Sequence, residues 1–241
     1  YSYLNREKYA SAEAAYRNAL LLDPDSKDWK NGLIQAMNAQ GEHEELVGLL
    51  NEVIVENPRN AEYWIFQANA FIALDRYMEA ISNLELVNRL GMSTPRSLIL
   101  LGDLYMREGV SGLALNAYQS ALERGQQLDT SQFIRAAYVL MSQGNYEESE
   151  EYVNTIFARR GSRLNDQQKM ELFNLQSEIY LATGESDKAA DTLENVLEVD
   201  PMNGRALLNL AQYHWTRKEY EEAQVLFERA ERVVRRGQPT A

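Results

Sequence analysis

The chain has 241 residues, of which 36 are acidic and 24 basic, leaving a formal net charge of −12. That balance speaks against the basic face that nucleic acid or an anionic lipid surface would require, and the lack of any Cys excludes disulfides, thiolate catalysis and Cys–zinc sites. Hydrophobic side chains at 45% and only 5 Pro argue against disorder and for a nearly all-helical chain, and no apolar run approaches the roughly 18 residues of a membrane span.

Taken in order, residues 1–26 read as the end of a two-helix unit. Tyr1–Asn5 closes a first helix, and Glu7–Leu22 is a second, with Ala12, Ala15, Tyr16 and Ala19 on one stripe. Asp23-Pro24 ends it, because Pro disfavours helix at the residue before it. The next unit, 27–60, keeps Leu33, Gly41 and Pro58 but places the bulky Ile34, Leu46 and Val53 where its neighbours carry small residues. Units 61–94 and 95–128 share one template. The first carries Trp64, Ala68, Phe71, Tyr77 and Ala80; the second carries Leu101, Gly102, Tyr105, Gly109, Ala114, Tyr118 and Ala121. Unit 130–163 follows with Ala137, Gly144 and Tyr146. The six residues Leu164–Lys169 do not fit the period. They predict a lengthened, mobile turn leading into a helix capped by Asn165 or Asp166. Unit 170–203 carries Phe173, Ser177, Tyr180, Gly184, Ala189, Leu193 and Pro201, and unit 204–237 carries Leu210, Ala211, Tyr220, Ala223, Phe227 and Ala230. The tail 238–241 is expected to fray.

Neighbours that reuse one template at a spacing of 34 residues are the mark of a repeat array. The pattern resembles the tetratricopeptide repeat, with Trp–Leu–Gly–Tyr on one helix and Ala–aromatic–Ala, then often Pro, on the next. The resemblance implies an all-α fold, a right-handed α-solenoid of helix-turn-helix repeats forming a single domain over 1–241, with a partial repeat and six full ones. Physically, a lone hairpin has too little apolar surface to fold, so stacking supplies the core. Small residues at positions 8 and 20, as in Ala68/Ala80, Gly102/Ala114 and Ala211/Ala223, let backbones approach. Gly at position 15 suits a left-handed cap between the two helices.

Catalytic machinery is not apparent. His43, in a Gly-Glu-His-Glu-Glu turn, reads as an exposed turn residue, and His214 as a packed core residue in place of the usual Tyr. There is no phosphate-binding Gly-Lys loop and no His-Glu-x-x-His. The acidic run 147–151 reads as a helix start that suits the dipole, and Arg229, Arg232, Arg235 and Arg236 as its basic counterpart at a helix end. The expected protein is therefore not an enzyme, with no catalytic residue, no cofactor and no metal.

The resemblance also implies a peptide-binding groove lined by the first helix of each repeat. Carried over position by position, it offers Asn31 and Gln35 in 27–60, Phe66 and Asn69 in 61–94, and Arg96, Leu100, Asp103, Met106 and Arg107 in 95–128. Unit 130–163 adds Arg135, Tyr138 and Met141, unit 170–203 adds Asn174 and Glu178, and unit 204–237 adds Asn209 and Gln212. The apolar members can equally be core. The carboxylate clamp of chaperone adaptors is not reproduced, since only Arg96 matches it. The implied function is a scaffold or adaptor that holds a protein or peptide segment, with no nucleic acid and no membrane span. The alternatives are a structural or oligomerisation module, self-associating through the terminal helices, or a regulatory piece of a larger protein. A chain that opens on Tyr1 rather than Met is read as having lost an upstream segment, such as a signal peptide. With the absence of Cys and a bacterial style of sequence, this tilts the expected location toward an extracytoplasmic one.

Overall fold

The computed structural model describes the backbone of residues 2–237 and the side chains of residues 8–235. Among the described residues the secondary structure is helical throughout. The helices are α1 (Ser2–Leu22), α2 (Lys27–Gln40), α3 (His43–Glu56), α4 (Ala61–Ala73), α5 (Tyr77–Arg89), α6 (Pro95–Arg107) and α7 (Ser111–Arg124). They continue as α8 (Thr130–Ser142), α9 (Tyr146–Arg160), a 3₁₀ turn (Gly161–Arg163), α10 (Asp166–Thr183), α11 (Ser186–Val199), α12 (Gly204–Thr216) and α13 (Tyr220–Gly237). The chain divides into two compact units, up to Tyr105 and from Met106 onward, with the division falling inside α6.

In the first unit each helix packs on the next, from α1 on α2 to α4 on α5. Its core is a stack of apolar side chains at helical spacing, including Leu33, Met37, Leu50, Val53, Ala68, Phe71, Leu84 and Val87, all buried. The bulky Ile34 and Leu46 of 27–60 are buried to the same degree as the small residues of the neighbouring repeat. In the second unit α8 pairs with α9, α10 with α11 and α12 with α13, and α8 also touches α10. Ala190, Leu193, Val196, Leu207, Leu210 and Leu226 form one apolar cluster there.

The turn inside each hairpin is set by one residue. Position 15 of the six full repeats is Gly41, Asp75, Gly109, Gly144, Gly184 and Lys218, and every one has positive φ, from 58° to 82°. This left-handed residue ends the first helix and returns its amide to carbonyls of the last turn, as Gly41 does to Met37 and Asn38.

Two expectations are corrected. Residues 1–26 hold one continuous helix, Ser2–Leu22, with no break near Asn5. The physical reason is that Glu7 stands where the other repeats place their turn residue, and a Glu has little tendency to go left-handed. The extra residues at 164–169 are not a lengthened turn. Leu164 is buried, Asn165 accepts from the Gln168 amide at 2.8 Å, and the Gln168 side chain accepts from the Asn165 amide at 3.3 Å. That reciprocal capping box starts α10 at Asp166, so four of the six residues add a first turn to an 18-residue helix.

Candidate functional site

In the first unit the expected groove residues lie on α2, α4 and the start of α6. Gln35, Asn69 and Arg96 are exposed, whereas Asn31, Phe66, Leu100 and Asp103 are half-buried. Asn31 is committed: its Oδ1 accepts from the Tyr63 hydroxyl at 2.9 Å, which ties α2 to α4. Beneath these helices runs a polar chain that sequence reasoning missed. Asn83 donates to the Gln67 side-chain oxygen at 2.9 Å, and Gln67 donates to Asn51 at 2.7 Å. Gln67 and Asn83 are buried, and their mutual bonding satisfies groups that would otherwise be costly to bury. The recurrence of amides at intervals of 16 residues is the signal that could have found them.

In the second unit Met106 is buried at 2% exposure, so it is packing and not groove lining; an apolar side chain at that position turns to the helix stack. Arg107 and Arg135 are exposed, and Tyr138, Met141, Asn174 and Glu178 are half-buried. The Tyr138 hydroxyl donates to the Glu171 carbonyl at 3.3 Å, joining α8 to α10. Burial raises its phenol above the ordinary value, and Glu178 and Glu171 add to that. Glu178 pairs with Arg205 at 2.8 Å, which links α10 to α12.

Asn209 and Gln212 are brought together. Successive turns of α12 place both amides on the wall of a recess of about 220 Å³, floored by Leu181, Ala189, Ala190 and Leu193. Leu181 is half exposed there. The rim is braced where α11 begins and α12 ends. Asp187 accepts from the Tyr213 hydroxyl at 2.7 Å and from Arg217 at 3.0 Å. The same accepted bond raises the Tyr213 phenol. An apolar floor with convergent amides suits a side chain plus the peptide group beside it.

The histidines behave differently from one another. His214 is half-buried with Nδ1 2.7 Å from Glu219, so it is a bonded position on the edge of the core. His43 is not the exposed turn residue expected: it opens α3 half-buried, and its Nδ1 is buried without a partner. Next to it, Glu13, Glu42 and Glu45 bring carboxylate oxygens within 4.8 Å of one another. Arg17 already supplies their cation, at 2.6 Å from Glu13 and 3.2 Å from Glu45. Among the described residues no helix is long and apolar enough to cross a membrane.

Stacked antiparallel helical hairpins with a left-handed residue in each hairpin turn define an α-solenoid, the class of fold built to present surfaces to other proteins. Two family models, both described as Tetratricopeptide repeat, match residues 3–70 and 174–238, together more than half of the chain. The chain belongs to the tetratricopeptide repeat (TPR) family, whose members are in general protein–protein interaction scaffolds and not enzymes. No curated protein matches at the level of sequence. Among solved structures, the chain is similar to YrrB, described as a TPR protein with an unusual peptide-binding site, at 18% identity and a TM-score of 0.57, over 81% of this chain and 97% of that one. It is similar to a TPR protein from Parabacteroides merdae at 18% identity and a TM-score of 0.54, over 96% and 90%. It is also similar to a chain of the Naa15/Naa10 assembly bound to HypK, at 16% identity and a TM-score of 0.65, over 94% of this chain but 34% of that one.

Proposed function

We propose that this chain is a non-enzymatic adaptor that holds a protein or peptide segment against the first helices of its repeats. The observation that carries the reading is the recess at Asn209 and Gln212, where two amides stand over the apolar floor of Leu181, Ala189 and Leu193. An apolar anchor of the partner fills the floor, and the amides pair with its backbone. In the first unit Gln35, Phe66, Asn69 and Arg96 offer the same mixture of amide, aromatic and cation. YrrB, with a described peptide-binding site on the same fold, supports this use of the scaffold. The net charge of −12 favours a neutral or basic partner, while Arg107 and Arg135 each offer a docking point to an acidic group.

The test is selection of binding peptides from a random display library, followed by calorimetry with the best of them. Leu181→Glu and Gln212→Ala should each weaken binding by about 1–2 kcal/mol, the range expected when a buried anchor or a paired amide is lost. Both positions are exposed, so the melting temperature should hardly move. Selected peptides that bind both variants as well as the parent would place the ligand elsewhere and end this reading.

A further inference from the structure

The sequence Arg159-Arg160-Gly161-Ser162-Arg163 has so far served only as the end of α9 and a 3₁₀ turn. In three dimensions its three arginines come together. Arg159, Arg160 and Arg163 line one recess of about 160 Å³ with Gln126, Glu123 and Leu122 of the facing segment. This is more than ten times the ~10–15 Å³ that admits one water.

The three cations differ in what already holds them. Arg160 is buried and fixed: it donates to the Leu128 carbonyl at 2.9 Å and to the Gly125 carbonyl, and its guanidinium lies 4.6 Å from the centre of the Phe133 ring. Arg159 pairs with Glu123 at 2.6 Å, an exposed pair of small worth. Arg163 is exposed and makes no ion pair among the described residues. The other nearby carboxylate, Asp129, is engaged with the Ser131 amide at 2.8 Å and with Gln168 at 3.2 Å. Three guanidinium groups thus share one recess with Glu123 as the single carboxylate of its lining, in a chain whose overall charge is strongly negative. Burial, and next the charge of Arg163, lower the Arg160 pKa below its ordinary value. Holding like charges together costs energy unless an anion joins them.

The geometry points to an oxyanion-binding site between Arg159, Arg160 and Arg163, with the side-chain amide of Gln126 as a further donor, and the ligand it fits is a phosphate group. Arg163 supplies a free planar fork of N–H donors, which matches two oxygens of a tetrahedral anion. Arg160, anchored from behind by backbone carbonyls, is already rigid. Free phosphate and the phosphoryl group of a larger ligand share this chemistry. The site does not depend on the reading of the groove, which involves other helices.

The test uses the whole chain and sodium phosphate, with sodium chloride at matched ionic strength as the control. Thermal unfolding should show a saturable rise in melting temperature with phosphate, as linkage requires of a ligand that binds the folded state. Arg163→Gln should weaken the phosphate affinity by on the order of tenfold, and Arg163→Lys should restore part of it. Glu123→Gln removes the competing carboxylate and should tighten binding. Amide resonances of Gly161–Arg163 should shift on titration. O-phosphoserine run in parallel separates the sources: equal affinity marks free phosphate as the ligand, and clearly tighter binding marks a phosphorylated one. An equal rise in chloride, or an unchanged phosphate titration in both Arg163→Gln and Glu123→Gln, would overturn the site.

Discussion

The Ser149 hydroxyl donates a hydrogen bond to the Ala137 carbonyl at 2.9 Å, from the second helix of its repeat to the first. These two residues occupy positions 20 and 8 of 130–163, where every full repeat except 27–60 carries a small side chain. Both are fully buried. A side chain reaching a carbonyl already inside a helix requires the two backbones to be very close, which only a small residue permits. Ser149→Ala should therefore be tolerated, costing about 0.5–1.5 kcal/mol for the lost hydrogen bond. Ser149→Leu should overpack the crossing and cost a further 1–3 kcal/mol, roughly. Urea unfolding of the two variants separates these outcomes, and equal stabilities would mean that α8 and α9 do not meet there.

Asp75 and Lys218 hold the left-handed turn position that is Gly in the other four full repeats. A left-handed non-Gly residue costs roughly 1–2 kcal/mol. Replacing it by Gly recovers this, less the roughly 0.5–1 kcal/mol of extra chain entropy. Lys218→Gly should stabilise by about 0.5–1 kcal/mol. Asp75→Gly should gain less, because Asp75 accepts a hydrogen bond from the Tyr77 hydroxyl that the variant forfeits. Differential melting temperatures check both the gain and its order.

Much of this architecture could be read from the chain because its determinants are local and periodic. Small residues at positions 8 and 20 and the turn residue at position 15 act within a few residues of themselves. The candidate site was less legible. Asn31 looked like a groove amide, but its partner Tyr63 lies 32 residues further on. Met106 carries the same apolar signature whether it faces ligand or core, and burial alone distinguishes them. Arg160 carries no signal in the sequence, because the carbonyls that hold it, of Leu128 and Gly125, lie 32 and 35 residues earlier. The break expected near Asn5 assumed that periodicity overrides the turn residue; with Glu7 at that place, the helix continues.

Gly32 lies on α2 directly beneath the ring of Tyr16 from α1, and a methyl group added there would collide with the end of that ring. In an open helix position Gly→Ala gains about 1 kcal/mol of helix propensity. Here the ring must swing away, and overpacking of this kind costs roughly 1–3 kcal/mol. Gly32→Ala should therefore be neutral to destabilising in the parent, yet stabilising in a Tyr16→Ala background. The coupling in this double-mutant cycle is the measurement. Independent, additive effects would mean that the Tyr16 ring does not rest on Gly32.

The carboxylates of Glu13 and Glu42 are coupled across α1 and the turn before α3, and they move in opposite directions. Glu13 is lowered from 4.5, chiefly by its hydrogen bond with Arg17, so it contributes stability that is present above 4.5 and lost as pH falls through its folded value. Glu42 is raised from the same value, first by burial, then by the charge of Glu13 and of Glu45. Its folded form holds the proton more tightly than the unfolded chain, so its contribution runs the other way. It is favourable to folding while the proton stays on, and turns into a penalty as pH rises past 4.5 and through the folded value. Gln40 also donates to Glu13 at 2.7 Å, and His43, next to Glu42, is the first residue of α3. Glu42→Gln mimics the protonated acid, keeping a donor for Glu13 without the charge. Its stability relative to the parent should rise as pH climbs past 4.5 and the Glu42 carboxyl ionises, and level off once it is fully ionised. Thermal unfolding of both proteins across that range gives the difference curve. A difference that stays flat with pH would mean that Glu42 titrates like a solvated side chain and that the Glu13–Glu42 coupling does not exist.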